Sequence, residues 1–236
     1  LKLDLSRGGA IAYLSESRSE RNLINVHDEG RYVQQSYYAG KNLNRQKEGQ
    51  SPHWSPWPWN PIQVGDAFFN RAKILKSNIK NNTVYTKCIP MLWDMNNKPA
   101  EAIIEQWTTL ESNILKVRNR LTCYRTDTIY GEDEERDQEL PAVYPISALS
   151  ELYTYNGEKP FTNDSIEELE VKNLKKNGFW GRYTTITENW MAFVDNNNWG
   201  IAVYTPSTEN FLAGMAGEPG GEAHDGSTSY IAPIKK

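Results

Sequence analysis

Cysteine is nearly absent from this sequence. Only Cys88 and Cys123 occur, too few for a structural zinc site by themselves or for a disulfide framework. Each lies in a strand-like segment, so they read either as two buried free thiols or as one disulfide between neighbouring strands. No apolar run approaches the roughly 20 residues of a membrane-crossing helix, which excludes that kind of span. Neither charge sign dominates, with 26 Lys and Arg against 30 Asp and Glu. A nucleic-acid partner, which needs a basic footprint, is therefore not expected. P-loop, dinucleotide-binding and nucleophile-elbow signatures are all missing. The acidic run Gly131-Glu132-Asp133-Glu134-Glu135-Arg136-Asp137-Gln138-Glu139 lacks the ligand order and glycine of a calcium loop and reads as solvated. Neither a metal nor a cofactor is implied.

Aromatic residues, by contrast, are plentiful: eight Trp and thirteen Tyr in 236 residues. Together with frequent Asn and Gly they suit a secreted or periplasmic protein that handles glycans. The triplets Asn81-Asn82-Thr83 and Asn163-Asp164-Ser165 fit glycosylation sequons but arise often by chance. The chain opens Leu1-Lys2-Leu3-Asp4, without Met or signal peptide, and stops just after the strand-like run beginning at Tyr230. We expect a processed protein or a fragment, folded as a single β-sandwich domain over residues 1–236 and lacking C-terminal strands.

Strand periodicity prevails. In residues 114–124, Leu115, Val117, Leu121 and Cys123 face one way, with Lys116, Arg118, Arg120 and Tyr124 opposite, the period-two signature of a half-buried antiparallel strand. Residues 190–194 and 199–204 flank Asp195-Asn196-Asn197-Asn198, whose side chains favour a turn, and so predict a hairpin. Further strands are expected over 10–14, 31–38, 67–77, 83–90 and 102–110. One short helix is expected at 165–174, where Ser165 and Glu168 match a capping box and Ile166, Leu169 and Asn173 share a face. The whole predicts an all-β fold, a large antiparallel β-sandwich. Two long segments lack any period, residues 40–61 and the glycine-rich 217–226. A loop as long as the first is usually functional or disordered, and its three indoles argue against disorder; the glycines of the second let backbone approach a ligand closely.

The candidate chemistry concentrates in residues 27–69. His27-Asp28-Glu29-Gly30-Arg31 groups an imidazole able to titrate near neutrality with carboxylates and a guanidinium suited to a uronate. The alternative is a surface turn whose charges satisfy one another. Tyr37 and Tyr38 point to opposite strand faces, so at most one joins His27. His53-Trp54-Ser55-Pro56-Trp57-Pro58-Trp59 places rings on stiffened backbone, a platform for the C–H face of a pyranose or, otherwise, a plug of core. Trp93-Asp94 and Glu105-Gln106-Trp107 set carboxylates beside indoles, as glycoside hydrolysis requires in pairs. Catalytic candidates are thus His27, Glu29, Arg31, Tyr38, His53 and Glu105. Candidates for substrate contact are Trp54, Trp57, Trp59, Asp94, Arg118, Glu139, Tyr144 and His224. The partner implied is a polysaccharide or oligosaccharide.

Gly8-Gly9-Ala10-Ile11-Ala12-Tyr13-Leu14, Asn22-Leu23-Ile24-Asn25 and Tyr37-Tyr38-Ala39-Gly40 resemble the opening of a galactose-mutarotase-like domain. The order of segments also resembles secreted proteins of polysaccharide-degrading bacteria. The resemblance implies a β-supersandwich with a sugar-binding concave face. It does not extend to the asparagine-histidine turn of the mutarotases, which this chain lacks. Two functions follow as expectations. One is cleavage of a polysaccharide. By β-elimination it would use His27, His53 or Tyr38 as base and Arg31 or Arg118 against the uronate; by hydrolysis, two of Asp28, Glu29, Asp94, Glu105 and Glu139. The other is a non-catalytic carbohydrate-binding or structural role.

Overall fold

Period two in the sequence becomes strand in the computed structural model, which describes residues 1–131, 136–171, 182–206 and 208–235. Ile114–Cys123 pairs with Ala102–Glu111 in unbroken antiparallel register, from Ala102↔Cys123 to Glu111↔Ile114. Leu115, Val117 and Leu121 are half-buried while Lys116, Arg118 and Arg120 are exposed, as alternation across a one-sided sheet requires. Thr83–Ile89 and Lys73–Lys80 complete this four-stranded sheet, here called the long-strand sheet. The hairpin of Trp190–Val194 and Gly200–Tyr204 forms as expected. Its turn is closed by Asp195 Oδ1, which accepts from the Asn197 and Trp199 N–H groups at 2.8 and 3.2 Å. With Glu151–Tyr155 and Ile166–Leu169 it makes the hairpin sheet.

The expected helix at 165–174 is corrected. Ile166–Leu169 is a strand, paired Leu152↔Leu169 through Tyr155↔Ile166, and residues 172–174 lie outside the described residues. Leu169 is buried in the core with Leu152, whereas Ile166 is 58% exposed. Burial of Leu169 and a long-range ladder outweigh a local cap. Two strand expectations also shrink. Asp66 Oδ1 accepts from the Phe68 and Asn70 N–H groups, a turn that delays the next strand to Lys73. Tyr32 takes φ 75°, so the strand expected over 31–38 is confined to Val33–Ser36. Residues 40–61 are not an aperiodic loop. Ala39–Leu43 and Trp57–Trp59 pair antiparallel around two 3-10 turns, Gln46–Glu48 and Pro52–Trp54.

The central sheet runs Lys2–Asp4, Ala10–Tyr13, Val33–Ser36, Gln138–Val143, Thr228–Lys235, Asn210–Ala216, Arg182–Thr185. One row of directly opposed residues, Ile11–Val33–Val143–Ile231–Ala213, crosses it and defines its inner face. Leu115 and Val117 of the long-strand sheet pack there, as do Ile201 and Val203 of the hairpin sheet. Leu152, Met191 and Phe193 cover the part of that face around Ile231. The architecture is all-β, antiparallel and sandwich-like. Burial of these aliphatic rows, at about 25 cal/mol per Å² of apolar surface, drives its assembly.

The two cysteines are free thiols, Cys88 buried and Cys123 exposed. They sit on strands separated by a third, opposite Ile104 and Ala102 respectively. That spacing of roughly 10 Å exceeds what a disulfide spans. Burial pushes the Cys88 thiol up to about 12.

A glycine pair seams the central sheet to the long-strand sheet. Gly8 and Gly9 adopt φ 61° and 72°, and their carbonyls accept from Gln63 Nε2 at 3.1 Å and Gln106 Nε2 at 3.2 Å. A Cβ on Gly9 would lie 2.6 Å from Thr86. Gly9→Ala is therefore expected to destabilise the fold by about 2 kcal/mol or more, combining left-handed strain with overpacking. A urea midpoint unchanged from wild type would contradict this.

Candidate functional site

On the face of the central sheet opposite that apolar row, a register shift between Glu139 and Val143 sets Glu139 across from Ser36 and Ile234. Gln138, next to it, holds Tyr38 in place. Its Oε1 accepts from the Tyr38 N–H at 2.6 Å and its Nε2 donates to the Tyr38 carbonyl at 2.8 Å. Tyr38 O–H then donates to Glu139 Oε2 at 3.2 Å, and Tyr230 O–H donates to Oε1.

Glu139 is walled by these groups yet keeps partial solvent access. Burial pushes its carboxyl above the ordinary range, opposed by the hydroxyls of Tyr230, Tyr38 and Ser36. Loss of hydration thus outweighs the hydrogen bonds. Burial, reinforced by the Glu139 charge, also holds Tyr38, Tyr144 and Tyr230 well above the usual phenol value. All three stay protonated donors at neutral pH.

From this group the contacts run around a closed circuit. The Tyr144 ring lies 5.0 Å from that of Tyr230, and the Arg31 guanidinium lies 5.4 Å over Tyr144. Arg31 sits 4.0 Å from Asp28, and a Cβ on the intervening Gly30 would stand 3.1 Å from the Trp93 ring. Trp93 meets Trp54 at 5.5 Å, Trp54 meets Trp57 at 5.0 Å, and Trp57 returns to Tyr38 at 6.3 Å. Each indole contact is edge-to-face, a favoured geometry for aromatic pairs. The three indoles are half-buried, and Trp57 is fixed by donating Nε1–H to Asn60 at 3.1 Å.

The glycine-rich segment 217–226 reaches the same place. Fully buried Asn25 donates to the Asp225 and Ser227 carbonyls, both at 2.9 Å, while its Oδ1 accepts from the His27 N–H at 3.0 Å. His27 Nδ1 lies 2.9 Å from the His224 carbonyl. A carbonyl only accepts, so Nδ1 carries the proton there. It is the His224 backbone that makes this contact, and its residue is exposed.

His27, Arg31, Tyr38, Trp54, Trp57, Glu139 and Tyr144 are thus brought together, and His224 joins them through its backbone alone. The other candidates are not. Glu29 is 4% exposed and faces Arg7 at 3.3 Å and Arg71 at 3.9 Å. Asp94 is fully buried and takes a hydrogen bond from Gln50 at 2.7 Å. Trp59 is core, 1% exposed among Leu92, Met95, Ala102 and Tyr130. His53 is exposed on the Pro52–Trp54 turn. Glu105 and Arg118 belong to the long-strand sheet. Sequence reasoning missed Tyr230 and Ser36 as members of the site and singled out Trp93 only as the neighbour of Asp94. Tyr230 and Ser36 lie in ordinary strand alternation, and no local signal marks them.

Among the described residues, no group of three His, Cys, Asp or Glu could hold a metal ion, and no helix is long and apolar enough to cross a membrane. No protein-family model, curated protein or solved structure matches the chain.

Proposed function

We propose that this protein is a secreted or periplasmic carbohydrate-active enzyme. In this reading it cleaves a polysaccharide on a galactose-mutarotase-like β-sandwich. The observation that carries the reading is the Glu139 carboxyl, raised by burial, gripped by two phenols and joined through Tyr38 to an indole rim. A carboxyl whose pKa is raised by burial suits proton donation, as general acid, to a glycosidic oxygen. Of the carboxylates open to a hydrolase, Asp28 is the one joined to Glu139 through Arg31, Tyr144 and Tyr230, and we assign it to activating water. Indole faces along Trp54, Trp57 and Trp93 support the pyranose, and phenol hydroxyls orient its oxygens.

Arg31 favours a second reading, β-elimination. It would neutralise a uronate carboxylate while His27 removes the α-proton. Product analysis over a polysaccharide panel separates the two. Hydrolysis yields new reducing ends without unsaturation; elimination yields an ultraviolet-absorbing unsaturated uronate. We expect the hydrolytic product. Glycan binding without either product would leave a non-catalytic carbohydrate-binding module. Trp57→Ala should weaken glycan affinity by about 1–3 kcal/mol, the scale of one aromatic anchor. Unaltered affinity measured by calorimetry would remove Trp57 from the site.

A further inference from the structure

The outward face of the long-strand sheet carries a second constellation, remote from Glu139 in register and opposite in charge to the chain as a whole. Its middle cross-strand row is Asn78–Tyr85–Trp107–Arg118. One neighbouring row is Lys76–Lys87–Glu105–Arg120 and the other Lys80–Thr83–Thr109–Lys116. Directly opposed residues share a face, so all three rows point the same way. The Tyr85 and Trp107 rings lie 5.2 Å apart. The Arg118 and Arg120 guanidinium groups stand 5.3 and 5.8 Å over Trp107.

Glu105 is the one carboxylate in these rows, and it organises them. It accepts from Tyr85 O–H at 2.6 Å and from Arg120 Nε at 2.7 Å. Lys116 pairs with Glu111, whereas Lys76, Lys80, Lys87 and Arg118 enter no ion pair among the described residues. Lys76, Asn78, Lys80, Tyr85, Glu105 and Trp107 line a trough of about 510 Å³. The chain's formal net charge is −4, so this face is a local field of opposite sign.

We propose that this face is a second binding site, for an acidic polysaccharide whose uronate or sulfate groups meet the lysines and Arg118 while a sugar ring lies against Trp107. The reading borrows from the preceding section only the ligand class, a glycan. Lys76 and Lys80 lie about 13 Å apart along their strand and Lys76 directly opposes Lys87, so cations flank the Trp107 row on both sides. Asn78, Thr83 and Thr109 add neutral groups suited to sugar hydroxyls.

The test is affinity electrophoresis and calorimetry of the whole chain with polygalacturonate, its fully methyl-esterified form, dextran sulfate and a single-stranded oligonucleotide. Wild type should bind polygalacturonate or dextran sulfate at least about tenfold more tightly than the ester or the oligonucleotide, with affinity falling as salt rises. Whichever of the two binds identifies uronate or sulfate as the recognised group. The double variant Lys76→Glu, Arg118→Glu and the single variant Trp107→Ala should each lose about tenfold or more, with melting temperature unchanged, while Lys159→Glu, an exposed residue outside both sites, binds as wild type. Undiminished binding by both outer-face variants, or equal binding of the oligonucleotide or the ester, would overturn the proposal. Retained binding with no cleavage of any polymer would instead overturn only the enzymatic role of Glu139.

Discussion

Glu139→Gln should lower turnover on a susceptible polysaccharide by about 10²–10⁴-fold while leaving the fold intact, the usual contribution of a positioned acid. Glutamine preserves the side chain's shape and one acceptor for Tyr38 or Tyr230, and it removes only the transferable proton. The pH dependence follows from the direction of the shift. Burial raises the carboxyl above its ordinary value, so the protonated, competent form is lost as pH rises through the raised value. The wild-type rate should fall along that alkaline limb, and the residual rate of the variant should not. Stability has the same sign. The folded state binds this proton more tightly than the unfolded chain. The contribution is therefore fully present below the unfolded value, near pH 4.3, and is lost as pH rises through the folded value. The variant lacks this dependence. It should gain on wild type in urea denaturation at neutral pH relative to acid pH. Full turnover in a folded Glu139→Gln variant would remove Glu139 from the chemistry and shift attention to His27 and Asp28.

Trp59→Ala should cost about 3–5 kcal/mol of stability, as truncation of a large buried aromatic does. The Trp59 indole donates to Glu101 at 3.2 Å. The Arg125 guanidinium covers its ring at 5.2 Å, and Tyr37 meets it edge-on at 6.3 Å. Alanine would open a cavity where Ala39↔Trp59 pairing joins the two short strands and would leave the Glu101 acceptor unsatisfied. Glycan affinity of the surviving folded fraction should be unaltered, because the ring contributes no surface. Trp57→Ala has the reverse signature, with affinity lost and stability nearly kept. Denaturant midpoints and calorimetric affinities on both variants separate the roles. A Trp59→Ala protein of wild-type stability would contradict its assignment to the core.

The contrast between Trp57 and Trp59 shows where sequence stops informing. Both are indoles beside proline on one strand, and local composition alone cannot say which faces Tyr38 and which faces Tyr130. Strand alternation in 102–110 and 114–124 was legible because a one-sided sheet writes its burial into every second residue. The Asp195–Asn198 turn was legible because its chemistry is local. Residues 165–174 misled for the converse reason. Ser165 and Glu168 satisfy a local cap, but the pairing of Leu169 with Leu152 is decided by a strand 17 positions earlier. The clustering of His27, Arg31, Tyr38, Trp54 and Trp57 was visible as dense aromatic and charged sequence. The union of Glu139 with Tyr230 was not, since those residues stand 91 positions apart. They meet only because Thr228–Lys235 inserts between Gln138–Val143 and Asn210–Ala216.

Hydroxyl-radical footprinting of the tryptophans, with and without a bound oligosaccharide, tests the central claim most directly. If the circuit from Glu139 through Tyr38 to the indole rim is one glycan site, Trp54, Trp57 and Trp93 will be protected together on binding, with Trp59 unreactive in both states. Unchanged reactivity at all three rim indoles in the presence of bound sugar would contradict it.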